Sequence, residues 1–353
     1  MSEALRIHGG IDAAELARLG LERERVLDLS VNINPLGPHP SVLEAIGRAS
    51  LDSYPDPSAS LARAAIARSQ DVEPARVLVG HGSAELLWSA VASLAGQARP
   101  LLIPTPTFSE PEIAARAWGV PVVAFTLADR ETFQLDLVEL ERAIRAHDPA
   151  AVYLCQPNNP NGSAVPGPQL RALCEAHPRI TFIVDQAFLS LSSRHAEQAL
   201  RFGPNVLLVR SLTKDHALPG LRVGYALAAP ALLQALDARR PSWMVSAPAQ
   251  AAIVAACEQG EFVQRARDAW LADKQALAQA CSGMGLAVVP SVTPFFLVRV
   301  GDADSVRARM LARHQILVRS ARSFGLPEFI RIAGCSSAQL PRVVAALRAE
   351  AAP

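Results

Sequence analysis

No Cys-x-x-Cys pair occurs in this 353-residue chain; its five cysteines, Cys155, Cys174, Cys257, Cys281 and Cys335, lie far apart. That spacing argues against a zinc ribbon or a disulfide framework and fits free thiols in a reducing compartment. The eight histidines form no His-Glu-x-x-His or comparable pattern, so no metal is expected. An excess of one charge is missing too. With 34 basic and 33 acidic residues the net charge is +1, which leaves no electrostatic case for nucleic acid or an anionic membrane. The longest apolar-leaning run, 245–257, is interrupted by Pro248 and Gln250 and is too short to span a bilayer. The opening Met-Ser-Glu-Ala-Leu-Arg lacks the cationic-then-apolar build of a signal peptide, so a cytoplasmic protein is expected. There is no internal repeat, low-complexity linker or sustained heptad.

What is present is core. Half of the residues are hydrophobic and 19% are charged, enough for a large interior, and the length suggests two domains. Helical periodicity over 41–49, 60–69, 84–94, 110–118 and 135–145 alternates with strand-like runs at 77–79, 101–103, 120–125, 151–154, 181–184 and 206–209. Such alternation predicts βαβ units and a mostly parallel sheet covered on both faces. Helices are expected at 230–240, 248–259 and 262–281. From Leu286 the texture changes to strands at 286–289, 295–300 and 329–333 with helices at 305–313 and 337–349, which predicts a smaller α+β domain. The boundaries expected are a large domain over 41–240 and a small one over 241–353.

The segment with most chemical content is Ser211-Leu-Thr-Lys214, followed by Pro219-Gly-Leu-Arg222-Val-Gly-Tyr225. Its lysine follows the apolar run 206–209, where burial lowers an amine's pKa and prepares it for a Schiff base with an aldehyde. Ser211, Thr213 and Arg222 are what a phosphate monoester would want nearby, which points to pyridoxal 5'-phosphate. The same segment also reads as a surface loop with a solvated lysine. Three others change the balance. Asn158-Asn-Pro-Asn-Gly162 follows one strand-like run, and Asp185-Gln-Ala-Phe188 ends another, where open α/β sheets bind ligands. Gly80-His-Gly-Ser-Ala-Glu85 lies between a strand and a helix, where backbone N–H groups can meet a phosphate.

In this order, and with Asn32-Ile-Asn-Pro-Leu-Gly37, Tyr54-Pro-Asp-Pro57, Pro106-Thr-Phe-Ser-Glu110 and Arg331, the chain resembles fold-type I pyridoxal-phosphate enzymes of the class I/II aminotransferase superfamily. The branch it resembles contains histidinol-phosphate aminotransferase and threonine-phosphate decarboxylase. The resemblance implies an α/β fold in which an N-terminal arm, residues 1–40, packs on the small domain. It implies Lys214 as Schiff-base lysine and proton carrier, with Asp185 facing the pyridine nitrogen. Asn159 would donate to the ring oxygen and Phe108 would stack on the ring. The amides of Gly82, Ser83 and Ala84, with Ser211, Thr213 and Arg222, would hold the phosphate. Tyr54 would reach a phosphate across a homodimer interface, placing the active sites there. Arg331 would take a carboxylate, Arg319 and Arg322 a second anion, and Asn32 and His8 would close over an amino-acid substrate.

The chain also departs from the family's pattern. Phe188 stands where aminotransferases often carry a tyrosine. Gln186, Pro111 and Asn161 replace a glutamate, an aromatic and a small hydroxyl residue. Asp215-His216 follows the lysine, where it either supplies a proton donor or turns away into a helical turn. Phe188, the His8-Gly-Gly start, the Asn32-Ile-Asn-Pro-Leu-Gly37 segment and Leu218-Pro-Gly-Leu-Arg222 lead to the expectation of a decarboxylase acting on O-phospho-L-threonine, giving (R)-1-aminopropan-2-yl phosphate for cobalamin biosynthesis. The alternative is an aminotransferase of the histidinol-phosphate type or a secondary-metabolism relative. A cofactor-sensing DNA-binding regulator is a more distant one, lacking a winged-helix segment and a basic excess.

Overall fold

The computed structural model describes residues 9–199 and 201–351. Among the described residues the first strand is a two-residue one, β1 (Leu27–Asp28), and the main sheet then takes seven strands. These are β2 (Val77–Gly80), β3 (Leu101–Thr105), β4 (Val122–Thr126), β5 (Ala151–Cys155), β6 (Thr181–Asp185), β7 (Val206–Ser211) and β8 (Gly224–Leu227). Their order is β2-β8-β7-β6-β5-β3-β4, parallel from β7 to β4. Every residue of β5 and β7 is buried, as continuous apolar runs require when helices cover both faces. One face packs on the helices Gly82–Ala92, Glu110–Ala117 and Pro230–Asp237 through Leu86, Leu87, Ala114 and Leu233. The other packs on Ser60–Ser69, Leu137–His147, Gly167–Ala176 and Ala247–Ala256 through Ile66, Leu140, Leu170 and Ile253. The mostly parallel α/β fold expected from the sequence is the fold observed.

Two strand readings change. Gly224–Leu227, which reads as the tail of a motif, is β8, antiparallel to both β2 and β7. The expected strand at 286–289 is only a bridge, Val288 to Val298. Ala287 and Val289 do pair with the neighbouring strand, but at the next hydrogen-bonding position the Phe295 carbonyl is taken by the hydroxyls of Ser291 and Thr293, and the ladder ends.

The second sheet is β9 (Phe295–Arg299), β11 (Arg319–Ser320) and β12 (Phe329–Ala333), in the order β11-β12-β9 and antiparallel. Beside it, β10 (Ile316–Leu317) pairs in parallel with β1. Leu29 is thereby drawn into the core of Phe296, Val318 and Ile330. Glu15 accepts two hydrogen bonds of 2.6 Å from Arg307, binding the first helix, Ala13–Leu19, to the helix Ala303–His314. Past Leu29 the chain crosses from this sheet to the carboxyl edge of the large one. Among the described residues no helix is long and apolar enough to cross a membrane.

Candidate active site

Strand β7 delivers Lys214 on a single helical turn, Leu212–Asp215, at the carboxyl edge of the large sheet. Two hydrogen bonds from the crossing segment clasp this turn. The amide of Asn34 donates to the Lys214 carbonyl at 2.9 Å, and Asn34 Nδ2 donates to the Asp215 carbonyl at 2.8 Å. Burial lowers the Lys214 pKa to about 8, helped by the guanidinium groups of Arg331 and Arg222 and opposed by Asp185. A lysine in that range offers a neutral amine in an appreciable fraction of molecules near neutral pH, which a nucleophile or proton carrier needs.

Asp185 ends β6, in register with Cys155 of β5 and Val209 of β7. Desolvation raises its carboxyl pKa to about 6, against the Ala187 amide, the Tyr153 hydroxyl and Lys214, which favour the anion. The Ala187 amide donates to Oδ1 at 2.9 Å and the Tyr153 hydroxyl to Oδ2 at 3.3 Å. From β12, Arg331 donates through Nη1 to Asn159 Oδ1 at 2.5 Å and through Nη2 to the Ser30 carbonyl at 2.6 Å. Burial pulls its pKa down to about 9, with Arg319 adding to the effect. Its Nε and the side-chain Oδ1 of Asn32 are buried without a hydrogen-bond partner, one donor and one acceptor that a ligand can satisfy.

Ser83 and Ala84 open the helix Gly82–Ala92, whose amino end meets Arg222. Gly82 has φ +79°, and a Cβ there would lie 2.7 Å from Arg222 Nη2. A Cβ on Gly224 would lie 2.7 Å from the Ser83 nitrogen and 2.8 Å from the Arg210 carbonyl oxygen. Both glycines are therefore required for β8 and the helix start to close into one cradle of backbone amides beside a guanidinium. The two substitutions should differ in kind. Gly82→Ala displaces a flexible guanidinium and costs roughly 1–2 kcal/mol of backbone strain, so the fold should survive with an anionic ligand bound about tenfold more weakly. Gly224→Ala meets backbone that cannot move aside and should lower the melting temperature instead. Spectroscopic titration and thermal unfolding separate the two.

These groups line one cavity of about 250 Å³, bounded by Asn32, Ser83, Ala84, Phe108, Asn159, Asp185, Phe188, Lys214, Arg222 and Arg331. The model of the class I and II aminotransferases matches residues 24–347. The chain belongs to that family. A histidinol-phosphate aminotransferase from Aromatoleum aromaticum is 32% identical over 330 residues, 92% of each chain. The structure of histidinol-phosphate aminotransferase from Sinorhizobium meliloti in complex with pyridoxal-5'-phosphate superposes with a TM-score of 0.85 at 27% identity, covering 99% of this chain and 96% of that one. L-threonine-O-3-phosphate decarboxylase from Porphyromonas gingivalis gives 0.79 at 26% identity, covering 92% and 99%.

As a member of the class I and II aminotransferase family, the chain uses pyridoxal 5'-phosphate, as the sequence led us to expect. The cavity fits that group on its own terms. It offers an amide cradle with a guanidinium for a phosphate, an amine of lowered pKa for an aldehyde, and a buried carboxylate for a ring nitrogen. The expected O-phospho-L-threonine decarboxylase is overturned. Curated relatives matched over most of the chain are histidinol-phosphate aminotransferases, which favours the aminotransferase alternative. The physical reason lies in the features that suggested the decarboxylase. Phe188 packs edge-on against Phe295, with ring centroids 4.9 Å apart, so its identity reflects packing. Leu218 and Val223 are core residues, so the wording around Arg222 reports the scaffold that both reactions share.

Not every candidate lines this cavity. The Thr213 hydroxyl donates to the Val223 carbonyl at 3.2 Å, and Ser211 is buried in β7. Arg319 donates to Ser323 Oγ at 2.6 Å and borders a second cavity of about 300 Å³. Arg322, exposed and ion-paired with Asp304, borders that cavity as well. Tyr54 is 82% exposed and leans on Trp243 with ring centroids 5.0 Å apart. Asp215 and His216 are buried outside the lysine cavity, Asp215 accepting from Ser190 Oγ at 2.8 Å. His8 lies outside the described residues. Of the replaced family positions, Gln186 accepts from Arg210 Nε and Asn161 donates to the Phe133 carbonyl, so both hold the scaffold. Sequence reasoning missed Tyr153, Cys155, Ser30 and Glu110. Cys155 gives the one available signal, two residues before the Pro157-Asn-Asn turn on a strand that ends at the site.

Proposed function

We propose that the chain is an aminotransferase of the histidinol-phosphate type, passing an amino group between a phosphorylated amine and a 2-oxo acid. The observation that carries this reading is the pairing of two cavities. The lysine cavity of about 250 Å³ shares Gly9 and Ser30 with the neighbouring one of about 300 Å³, whose wall carries Arg307, Arg319 and Arg322. One has room for the reacting carbon and the other for a distal phosphate among cations.

Bound pyridoxal 5'-phosphate supplies the aldehyde that takes up the amine and the protonated ring that accepts the electron pair at Cα. In this reading Ser83, Ala84, Gly82 and Arg222 bind its phosphate, with Ser211 and Thr213 shaping the turn behind. Asp185 holds a proton at the ring nitrogen. Arg331 occupies Asn159 Oδ1, so the amide nitrogen of Asn159 turns to the ring oxygen. Phe108 covers one ring face and excludes water. Lys214, whose lowered pKa of about 8 leaves an appreciable neutral fraction, would be the carrier of the Cα proton. Arg331, with its unpartnered Nε, orients the carboxylate of the amino-acid partner in the half-reaction where the second cavity holds no phosphate. Asn32 closes over the substrate from the arm, at the edge of the large domain of 41–240 and beside the small one of 241–353.

The working form in this reading is a homodimer. Leu43, Leu51, Tyr54, Leu61 and Trp243 are large apolar side chains from 49% to 83% exposed. They lie on or near the helices Pro40–Gly47 and Ser60–Ser69, which share Ala247–Ala256 as a packing partner. Exposure on that scale marks an interaction surface. With Tyr54 reaching a phosphate across it, Tyr54→Phe should weaken cofactor retention about tenfold without changing the sedimentation coefficient of a dimer. A monomer in sedimentation would sink the dimer.

The reading is tested by incubating the holoenzyme with histidinol phosphate and 2-oxoglutarate and following glutamate. Glutamate that requires both substrates supports it. No glutamate with histidinol phosphate, but glutamate from other amines, overturns the substrate class.

A further inference from the structure

Tyr153 is fully buried, and its ring lies in a cluster of aliphatic side chains with Leu87, Ile103, Ile183 and Val209. In β5 it precedes Cys155 by two residues, and Cys155 is paired in register with Asp185. Side chains two apart share one face of a strand, so the phenol comes up beneath the carboxylate from inside the core. A hydroxyl in such surroundings costs stability unless it is bonded, and phenylalanine would fill the same space without that cost. The hydroxyl has found Asp185 Oδ2, at 3.3 Å. Burial holds its pKa well above the ordinary value, with Cys155 and Asp185 adding to the rise, so it remains a donor. The opposite oxygen, Oδ1, is taken by the Ala187 amide. Each carboxylate oxygen thus carries one fixed donor and keeps a lone pair for a third group.

We propose that Tyr153 is a positioning residue for transamination, holding the Asp185 carboxylate ionised and aimed at the ring nitrogen of the cofactor. It touches neither cofactor nor substrate and acts through Asp185. The inference rests on the assignment of Asp185 to that nitrogen. Without the phenol the carboxylate becomes the better base, and the shared proton moves from the ring nitrogen onto Asp185. The ring is then a poorer electron sink at unchanged substrate binding.

The test uses holoenzyme reconstituted with pyridoxal 5'-phosphate labelled with ¹⁵N in the ring. In Tyr153→Phe the ring-nitrogen resonance should move toward the unprotonated position, and kcat should fall roughly ten- to a hundredfold with KM for the amine held. In an Asp185→Asn background, Tyr153→Phe should add nothing to either readout. A parent-like resonance and kcat in Tyr153→Phe, while Asp185→Asn shifts the resonance, would overturn this inference alone. So would a loss that persists in the Asp185→Asn background, because the ring would then act by packing. An unchanged resonance in Asp185→Asn itself would overturn the assignment of Asp185 and, with it, the role of Tyr153.

Discussion

Lys214→Ala should abolish glutamate formation, a fall of at least about a thousandfold, while the protein folds and retains its cofactor without a covalent link. A proton carrier at the reacting carbon is typically worth 10² to 10⁴ in rate, and the covalent capture of the cofactor is lost as well. The cradle survives because the hydrogen bonds that shape it do not involve the lysine side chain. Gly82 and Gly224 set the approach of β8 to the helix start, and Asn34 clasps the turn through main-chain carbonyls. Passing the variant through a desalting column and recording the cofactor absorbance checks retention, and a glutamate assay checks turnover. Parent-like activity would remove Lys214 from the mechanism.

Asp185→Asn carries the second large effect, and it works in opposite directions on catalysis and stability. Turnover should fall by roughly a thousandfold, because an amide cannot hold a proton on the ring nitrogen as a carboxylate does. In the cofactor-free protein the same change should be stabilising at pH 7. The folded carboxyl titrates near 6, above its ordinary 3.8, so the fold binds that proton more tightly than the unfolded chain. Its contribution to stability is fully present below about pH 3.8 and is lost as pH rises through about 6. The loss is about 3 kcal/mol by pH 7, and asparagine does not incur it. Denaturant unfolding of the cofactor-free parent and variant at pH 4.5 and pH 7 measures the difference. A gap between them that failed to widen with pH would contradict the assigned burial cost.

The large sheet was legible because its strands are short apolar runs between amphipathic helices, a pattern that a buried parallel sheet imposes on sequence. The lysine turn and each half of the cradle, Gly82-Ser-Ala84 and Arg222, could be read as short contiguous motifs, whereas their meeting across β8 could not. What could not be read depends on approach through space. Tyr153 reads as one more apolar residue of β5, and only the pairing of β5 with β6 brings its hydroxyl to Asp185. Ser30 acts through a main-chain carbonyl that any residue would supply. Strand β8 was hidden because it runs antiparallel between β2 and β7, outside the strand–helix alternation. The decarboxylase expectation failed for a related reason. Phe188 was weighed by the hydroxyl it lacks, whereas its neighbour Phe295, 107 positions away on β9, accounts for a ring there.

Asn34 sits where two sheets of the molecule communicate. Its amide proton is committed to the carbonyl of Lys214, and its side chain to that of Asp215. Any fluctuation that unwinds the lysine turn must release that proton to solvent, and any release of the crossing segment must leave the turn unclasped. The isotope-exchange rate of a single backbone amide, at position 34, is therefore a gauge of how often the reactive lysine leaves its working pose.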